Sequence, residues 1–179
     1  MDAVIELFAE GSFEPALSEV AERSGVSRRS VYRYFVDTDS LTRAAIARHL
    51  ERTNFLFQLE QPGIGALVGR IDRTIAARLR LYEVIAPAVR AALVMAPRNE
   101  VIREHLDLRL REIRRQVDEM FAPELDGMSA AAGREVSAAL DLLLGFQSIE
   151  HLRRVRGFSG PECRRVLTRA ASSLLSSET

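Results

Sequence analysis

The chain has 179 residues, a formal net charge of zero, 47% hydrophobic and 28% charged residues. This composition fits a soluble globular protein with room for one sizeable core, or for a small module joined to a larger one. It excludes a disordered polyelectrolyte and a generally basic coat for nucleic acid. A single cysteine, Cys163, excludes an intrachain disulfide framework. No apolar run is long enough to span a membrane, and the acidic opening Met1–Ala3 has no basic leader region, so the chain reads as cytoplasmic.

Helical periodicity runs through almost the whole sequence, and strand alternation is absent. The first helix spans Asp2–Glu10, with Val4, Leu7 and Phe8 on one face and Gly11-Ser12 at its end. A second, Leu17–Arg23, is broken by Gly25, as a left-handed turn residue would break it. A third covers Ser27–Phe35 with Ser27 as N-cap. Asp37 or Thr38 caps a longer helix reaching Leu59, and Pro62-Gly63 ends it. Ile64, Leu67, Val68, Ile71, Ile75 and Leu79 then recur at spacings of three and four, which predicts one buried helix face. Leu81–Ala96 is apolar, with a kink or a new start expected at Pro87 and a stop at Pro97. Asn99–Phe121 reads as a long amphipathic helix with Ile102, Leu106, Leu110, Ile113, Val117 and Met120 as its stripe. Pro123 and Gly127 separate it from a helix over Ser129–Arg156. After the Gly157–Gly160 turn, Pro161 opens a last helix to Leu175, and the polar tail Ser176–Thr179 reads as frayed. The layout is all-α: three short helices in an N-terminal domain (1–45), then long ones in a C-terminal bundle (46–179).

The segment from Leu17 to Tyr34 has the requirements of a helix-turn-helix. Two helices crossing steeply through a tight turn need a small residue where they pass, supplied by Ala21. They also need a residue tolerant of positive φ four positions later, supplied by Gly25. Val20, Val26, Val31 and Tyr34 fall at spacings suited to locking the pair. Four arginines and no acid lie between Arg23 and Phe35, whereas the rest of the first forty-five residues is acidic overall. The opening of the second helix, Ser27, Arg28, Arg29 and Ser30, would enter a major groove N-terminus first. Arginine reads guanine bidentately or clamps a phosphate, and the hydroxyls of Ser27, Ser30 and Tyr32 suit phosphate oxygens.

The stretch Leu7-Phe8-Ala9-Glu10, Phe13-Glu14, Val20 through Phe35, and Leu41 resembles the N-terminal signature of TetR (tetracycline-repressor-like) regulators. The segment Phe146–Glu162 is also similar to the junction of the last two helices in many members. The resemblance implies a homodimer, a C-terminal ligand pocket, and release of double-stranded DNA when a small molecule binds. It places Arg28 and Arg29 at base-contacting positions, and Ser27, Ser30, Tyr32, Arg33 and Tyr34 on the DNA-facing helix. It makes Phe35 the aromatic that closes the domain. Three departures predict a weaker phosphate grip: Thr38, between Asp37 and Asp39, stands where the family usually has a lysine; Pro15-Ala16 replaces a hydroxyl cap; and no basic arm precedes the first helix.

In the C-terminal body the last two helices carry wide apolar faces. Leu140, Leu143, Leu144, Gln147 and His151 on one, and Val166, Leu167, Ala170 and Leu174 on the other, are the expected four-helix dimer interface. A symmetric dimer is what a palindromic operator requires. Candidate polar groups for a ligand pocket are Asn54, Gln58, Tyr82, His105 and Gln147. His49, His105 and His151 make no metal-ligand pair, and no nucleophile elbow or phosphate loop occurs, so neither a metal, a cofactor nor catalysis is expected. The reading is a ligand-responsive repressor that leaves a palindromic operator when its effector binds. The alternative is a helical dimer working through protein partners with weak or no DNA binding, and activation in place of repression depends on where the operator lies.

Overall fold

A computed structural model describes residues 2–10, 12 and 15–176. Gly11, the Phe13-Glu14 part of the signature, the Phe8 side chain and the tail residues Ser177–Thr179 lie outside what is described. Among the described residues every regular element is helical. None of the helices is long and apolar enough to cross a membrane. The helices are α1 (Asp2–Ala9), α2 (Leu17–Ser24), α3 (Arg28–Tyr34), α4 (Thr38–Thr53), α5 (Leu67–Met95), α6 (Glu100–Leu125), α7 (Ala130–Leu144), α8 (Phe146–Glu150) and α9 (Gly160–Leu175). Two compact units result: Met1–Phe55 with Ile85–Arg109, and Leu56–Val84 with Leu110–Thr179.

In the first unit, α2 packs on α1 and α3, and α1 packs on α4. Their apolar faces close over Val4, Leu7, Leu17, Val20, Ala21, Val31, Leu41 and Ala45, with Phe35 against the cluster. Asp2 accepts from Arg52 at 3.1 Å and pairs with Arg48 at 3.7 Å, tying the start of α1 to α4. Helix α4 stops at Thr53, short of the expected Leu59. It tightens into a 3-10 turn over Asn54–Phe57 that buries the Phe57 ring.

Helix α5 runs through Pro87, so no new helix starts there. Proline removes one helical hydrogen bond at a cost of about 3 kcal/mol. Each fully buried Ile or Leu contributes roughly 1.5–3 kcal/mol, and α5 buries Ile71, Ile75, Leu81 and Ile85. Ile64 precedes the helix and Val68 faces solvent, so neither belongs to the expected buried face. Leu110 of α6 is likewise exposed.

Helix α6 continues past Phe121, bending there (φ −111°, ψ 15°) to admit Pro123. In the second unit, Arg70 of α5 donates to the Met120 carbonyl at that bend at 2.7 Å. The helix expected over Ser129–Arg156 is broken at Gly145, where a Cβ would lie 3.0 Å from the Asp141 carbonyl oxygen. A π-helical turn over His151–Val155 follows α8. Ser159 then caps α9, which packs on α7 and buries Cys163, Leu167, Ala171 and Leu175. Desolvation raises the Cys163 thiol pKa above its usual value.

Candidate nucleic-acid interface

The reading head is built by its turns. Gly25 ends α2 at φ +66°, a left-handed conformation that costs a side-chain-bearing residue steric strain. Ser27 then caps α3: its Oγ accepts the Ser30 N–H at 3.2 Å and donates to the Ser30 Oγ at 3.0 Å. Val31 turns inward into the core, which leaves Arg28, Arg29, Tyr32 and Arg33 exposed on the other face and Ser30 half-buried. Alanine cannot cap α2, and the Ala16 N–H is held instead by Glu19 Oε2 at 3.3 Å.

Two expected packing roles are corrected. Val26 is 44% exposed and Tyr34 68% exposed, so neither locks the helix pair. Tyr34 instead lies beneath Arg33: the guanidinium sits 5.0 Å from the ring centroid and donates to the phenol oxygen at 3.1 Å.

The arginines divide by partner. Arg23 forms a two-pronged pair with Glu10 at 2.8 and 2.7 Å, which lowers the glutamate's pKa and joins α2 to the end of α1. Among the described residues nothing engages the side chains of Arg28 and Arg29. Both stand in the first turn of α3, which has no acid. A helix N-terminus is positive, so two arginines there are unfavourable for the isolated protein and favourable only against an anion.

Thr38 opens α4 and is exposed. Beside it Asp37 caps the helix, with Oδ1 accepting the Ser40 N–H at 2.7 Å; that bond and the Ser40 hydroxyl hold the carboxyl below its usual pKa. Asp39 Oδ1 accepts from Asn99 Nδ2 at 3.3 Å. Arg43, which sequence reading did not single out, is exposed one turn further, and its charge reaches Asp37. Its signal was a lone cation in an otherwise acidic stretch.

The expected pocket groups are divided between the units. Asn54 is exposed and accepts from Arg109 at 3.1 Å, and His105 is half-buried; both belong to the first unit. In the second, Gln58 and Gln147 are exposed, whereas Tyr82 is buried, donating to Glu150 Oε2 at 2.7 Å and tilted against Phe146. None of the five lines the open groove of about 990 Å³ between α6 and α7, whose walls include Asp118, Ala122, Gly133, Ser137 and Asp141.

Of the expected dimer residues, Leu140, Leu144 and Leu167 are spent in the chain's own core. Val166, Gln147 and His151 are exposed, and Leu143, Ala170 and Leu174 are half-buried. Leu142 of α7, outside the expected set, is 75% exposed.

Residues 1–45 match the family model described as bacterial regulatory proteins, tetR family. No curated protein and no solved structure matches the chain. The matched segment coincides with α1 to α3 and the start of α4, the elements that present the unpaired arginines. This all-helical chain therefore carries the N-terminal domain of the tetR family, and through that domain it is a DNA-binding transcription regulator.

Proposed function

We propose that this protein is a cytoplasmic, ligand-responsive repressor acting as a homodimer on a palindromic operator. Residues 1–45 read DNA, and 46–179 bind the effector and the second subunit. The observation that carries the reading is the exposed first turn of α3. There Arg28 and Arg29 add charge to a positive helix end and have no acid partner among the described residues, although Arg23, Arg48 and Arg52 of the same unit are all paired with acids. Two copies of α3 would enter adjacent major grooves, with Ser27 and Ser30 on backbone phosphates and the arginines on phosphates or guanine edges. The exposed apolar side chains of Leu142 on α7 and Val166 on α9, with Leu143 and Ala170 only half-buried, support a subunit interface on these helices. An effector would release DNA only by binding more tightly to a dimer state whose α3 helices no longer match the groove spacing.

Selection of genomic fragments on the purified protein, beside an Arg28→Ala/Arg29→Ala variant, tests this. The expected outcome is a palindromic site enriched by the wild type and not by the variant. Enrichment of no sequence at low salt would sink the DNA reading. The protein-partner alternative would then stand, favoured by the acids Asp37 and Asp39 on either side of Thr38.

A further inference from the structure

Two arginines on α5 lie at the same depth in the second unit, each 3% exposed, and are provided for differently. Every guanidinium nitrogen of Arg70 has an acceptor. Its guanidinium is gripped by both oxygens of Glu124, Nη1 also reaches the Met120 carbonyl at 2.7 Å, and Nε donates to the Gly65 carbonyl at 3.1 Å. Arg78, two turns further along, has only neutral acceptors among the described residues. Its Nη2 donates to Gln116 Oε1 at 3.1 Å and to the Ile113 carbonyl at 3.4 Å. Its Nε is buried and donates to nothing among the described residues. The acids that influence it do so through space: Glu112, and Asp141, which is paired with Arg114 at 3.4 Å. Desolvation pushes the Arg78 pKa down to about 10.

A buried cation without a counterion opposes folding, and replacing such a group by an apolar one is often neutral or stabilising. An unsatisfied buried donor in a native structure points to a missing acceptor. Near Arg78, Ile75 and Leu81 lie within a turn on α5 and Val117 follows Gln116, all three buried and apolar; Thr74 and Tyr82, one turn away on either side, are the buried polar neighbours on its own helix. One fixed cation edge in an apolar surround suits an apolar molecule bearing one acid group. With Nη2 donating to Gln116 and Ile113, the Nε–H remains as a single charged donor, which suits one oxygen of a carboxylate. A single cation with one amide beside it balances a monoanion, whereas phosphate would bring a second charge with no partner.

We propose that Arg78 and Gln116 form the anchor for the carboxylate of a small, otherwise apolar ligand. Arg78 Nε is the donor left open for it, and the Gln116 amide holds the guanidinium in place. The proposal rests on the ligand-responsive reading only for the effect of binding on DNA; the binding itself is independent of that reading.

Calorimetry on the full chain tests it with benzoate, phenylacetate and hexanoate, their neutral amides, and inorganic phosphate. At least one acid should bind saturably, with its amide weaker by roughly tenfold or more, as expected for loss of a charge-assisted hydrogen bond, and phosphate should not bind. Arg78→Met should remove the binding while melting no lower than the wild type without ligand. Silence of all three acids, equal binding of acid and amide, preference for phosphate, or unchanged binding by a folded Arg78→Met variant overturns the proposal. Should that variant fail to fold, Gln116→Leu replaces it, and unchanged acid binding there has the same force. Adding the bound acid to a protein–DNA complex separates the two readings. Binding without any loss of DNA affinity keeps the carboxylate anchor and removes ligand-responsive repression; release of DNA by the amide as readily as by the acid overturns the anchor alone.

Discussion

Arg70 and Glu124 stand 54 residues apart in the chain and meet as a two-pronged ion pair across α5 and α6, with the arginine buried and the glutamate partly so. The same guanidinium holds the Met120 carbonyl at the bend imposed before Pro123, so one side chain neutralises an acid and satisfies a distorted helix. Removing only the acid leaves a buried cation. Glu124→Ala should cost about 3–5 kcal/mol of stability, and the apolar pair Arg70→Met/Glu124→Leu should recover much of it. Chemical denaturation of the three proteins checks this; equal stability of Glu124→Ala and wild type would contradict it.

The division of arginines predicts a division of salt dependence. For a selected DNA site, each lost phosphate contact should flatten the logarithmic salt slope by about one unit. Arg28→Ala, Arg29→Ala and Arg43→Ala should each lower it or relax the base preference. Arg23→Ala should leave the slope unchanged and lower the melting temperature, because its charge is committed to Glu10. Binding isotherms over a salt series distinguish the two behaviours.

Gly25 sets the turn between α2 and α3 by conformation alone. At φ +66° a Cβ would meet nothing within 4 Å, so steric crowding is absent and only backbone strain remains. Gly25→Ala should therefore cost roughly 1–2 kcal/mol, and Gly25→Asn less, because asparagine tolerates this region. A thermal-denaturation series that ranks alanine above glycine would refute the turn geometry.

His49 and His105 give the first unit a pH dependence. Burial, then the charge of Arg52, depresses the pKa of His49; burial, then Arg109 and His49, depresses that of His105. A base whose folded pKa lies below its unfolded value binds fewer protons when folded. Its contribution is complete above the unfolded value near 6.5 and falls away as the pH drops through that value toward the folded one. The melting temperature should thus fall between pH 7 and pH 5, and His49→Gln/His105→Gln should flatten that fall. An identical pH profile in the double variant would exclude the histidines as the cause.

The burial pattern of α7 and α9 separates assembly from folding. Leu142→Glu should shift a dimer toward monomer in sedimentation while leaving the protomer's helicity intact, since the side chain is 75% exposed. Leu140→Ala should instead destabilise the protomer by roughly 2–5 kcal/mol, as a cavity in its core. A Leu142→Glu protein that sediments as the wild type does would move the interface elsewhere.

Local rules were legible in the chain itself. Gly25, the cap at Ser27 and the small Ala21 are one-residue requirements of a turn, a helix start and a close crossing. They can be read before any tertiary contact exists, and so can the segment matched by the tetR-family model. Other features depended on residues distant in sequence. Arg23 belonged by position to a cationic patch, but the fold brings it to Glu10 and removes it from the free charge. Periodicity gave Tyr34 a packing role, yet α3 turns only Val31 inward and leaves the tyrosine beneath Arg33. Pro87 is a local breaker overruled by the apolar burial on both its flanks. The stripe on α7 and α9 did not say which leucines the protomer buries and which it leaves for a partner. The difference between Arg70 and Arg78, alike in sequence and depth, likewise arose only when α6 brought Glu124 to one and Gln116 to the other. Caps, turns and periodicity are properties of a few neighbouring residues, whereas the pairing of charges and the choice of buried face are set by chain segments that meet only in the folded state.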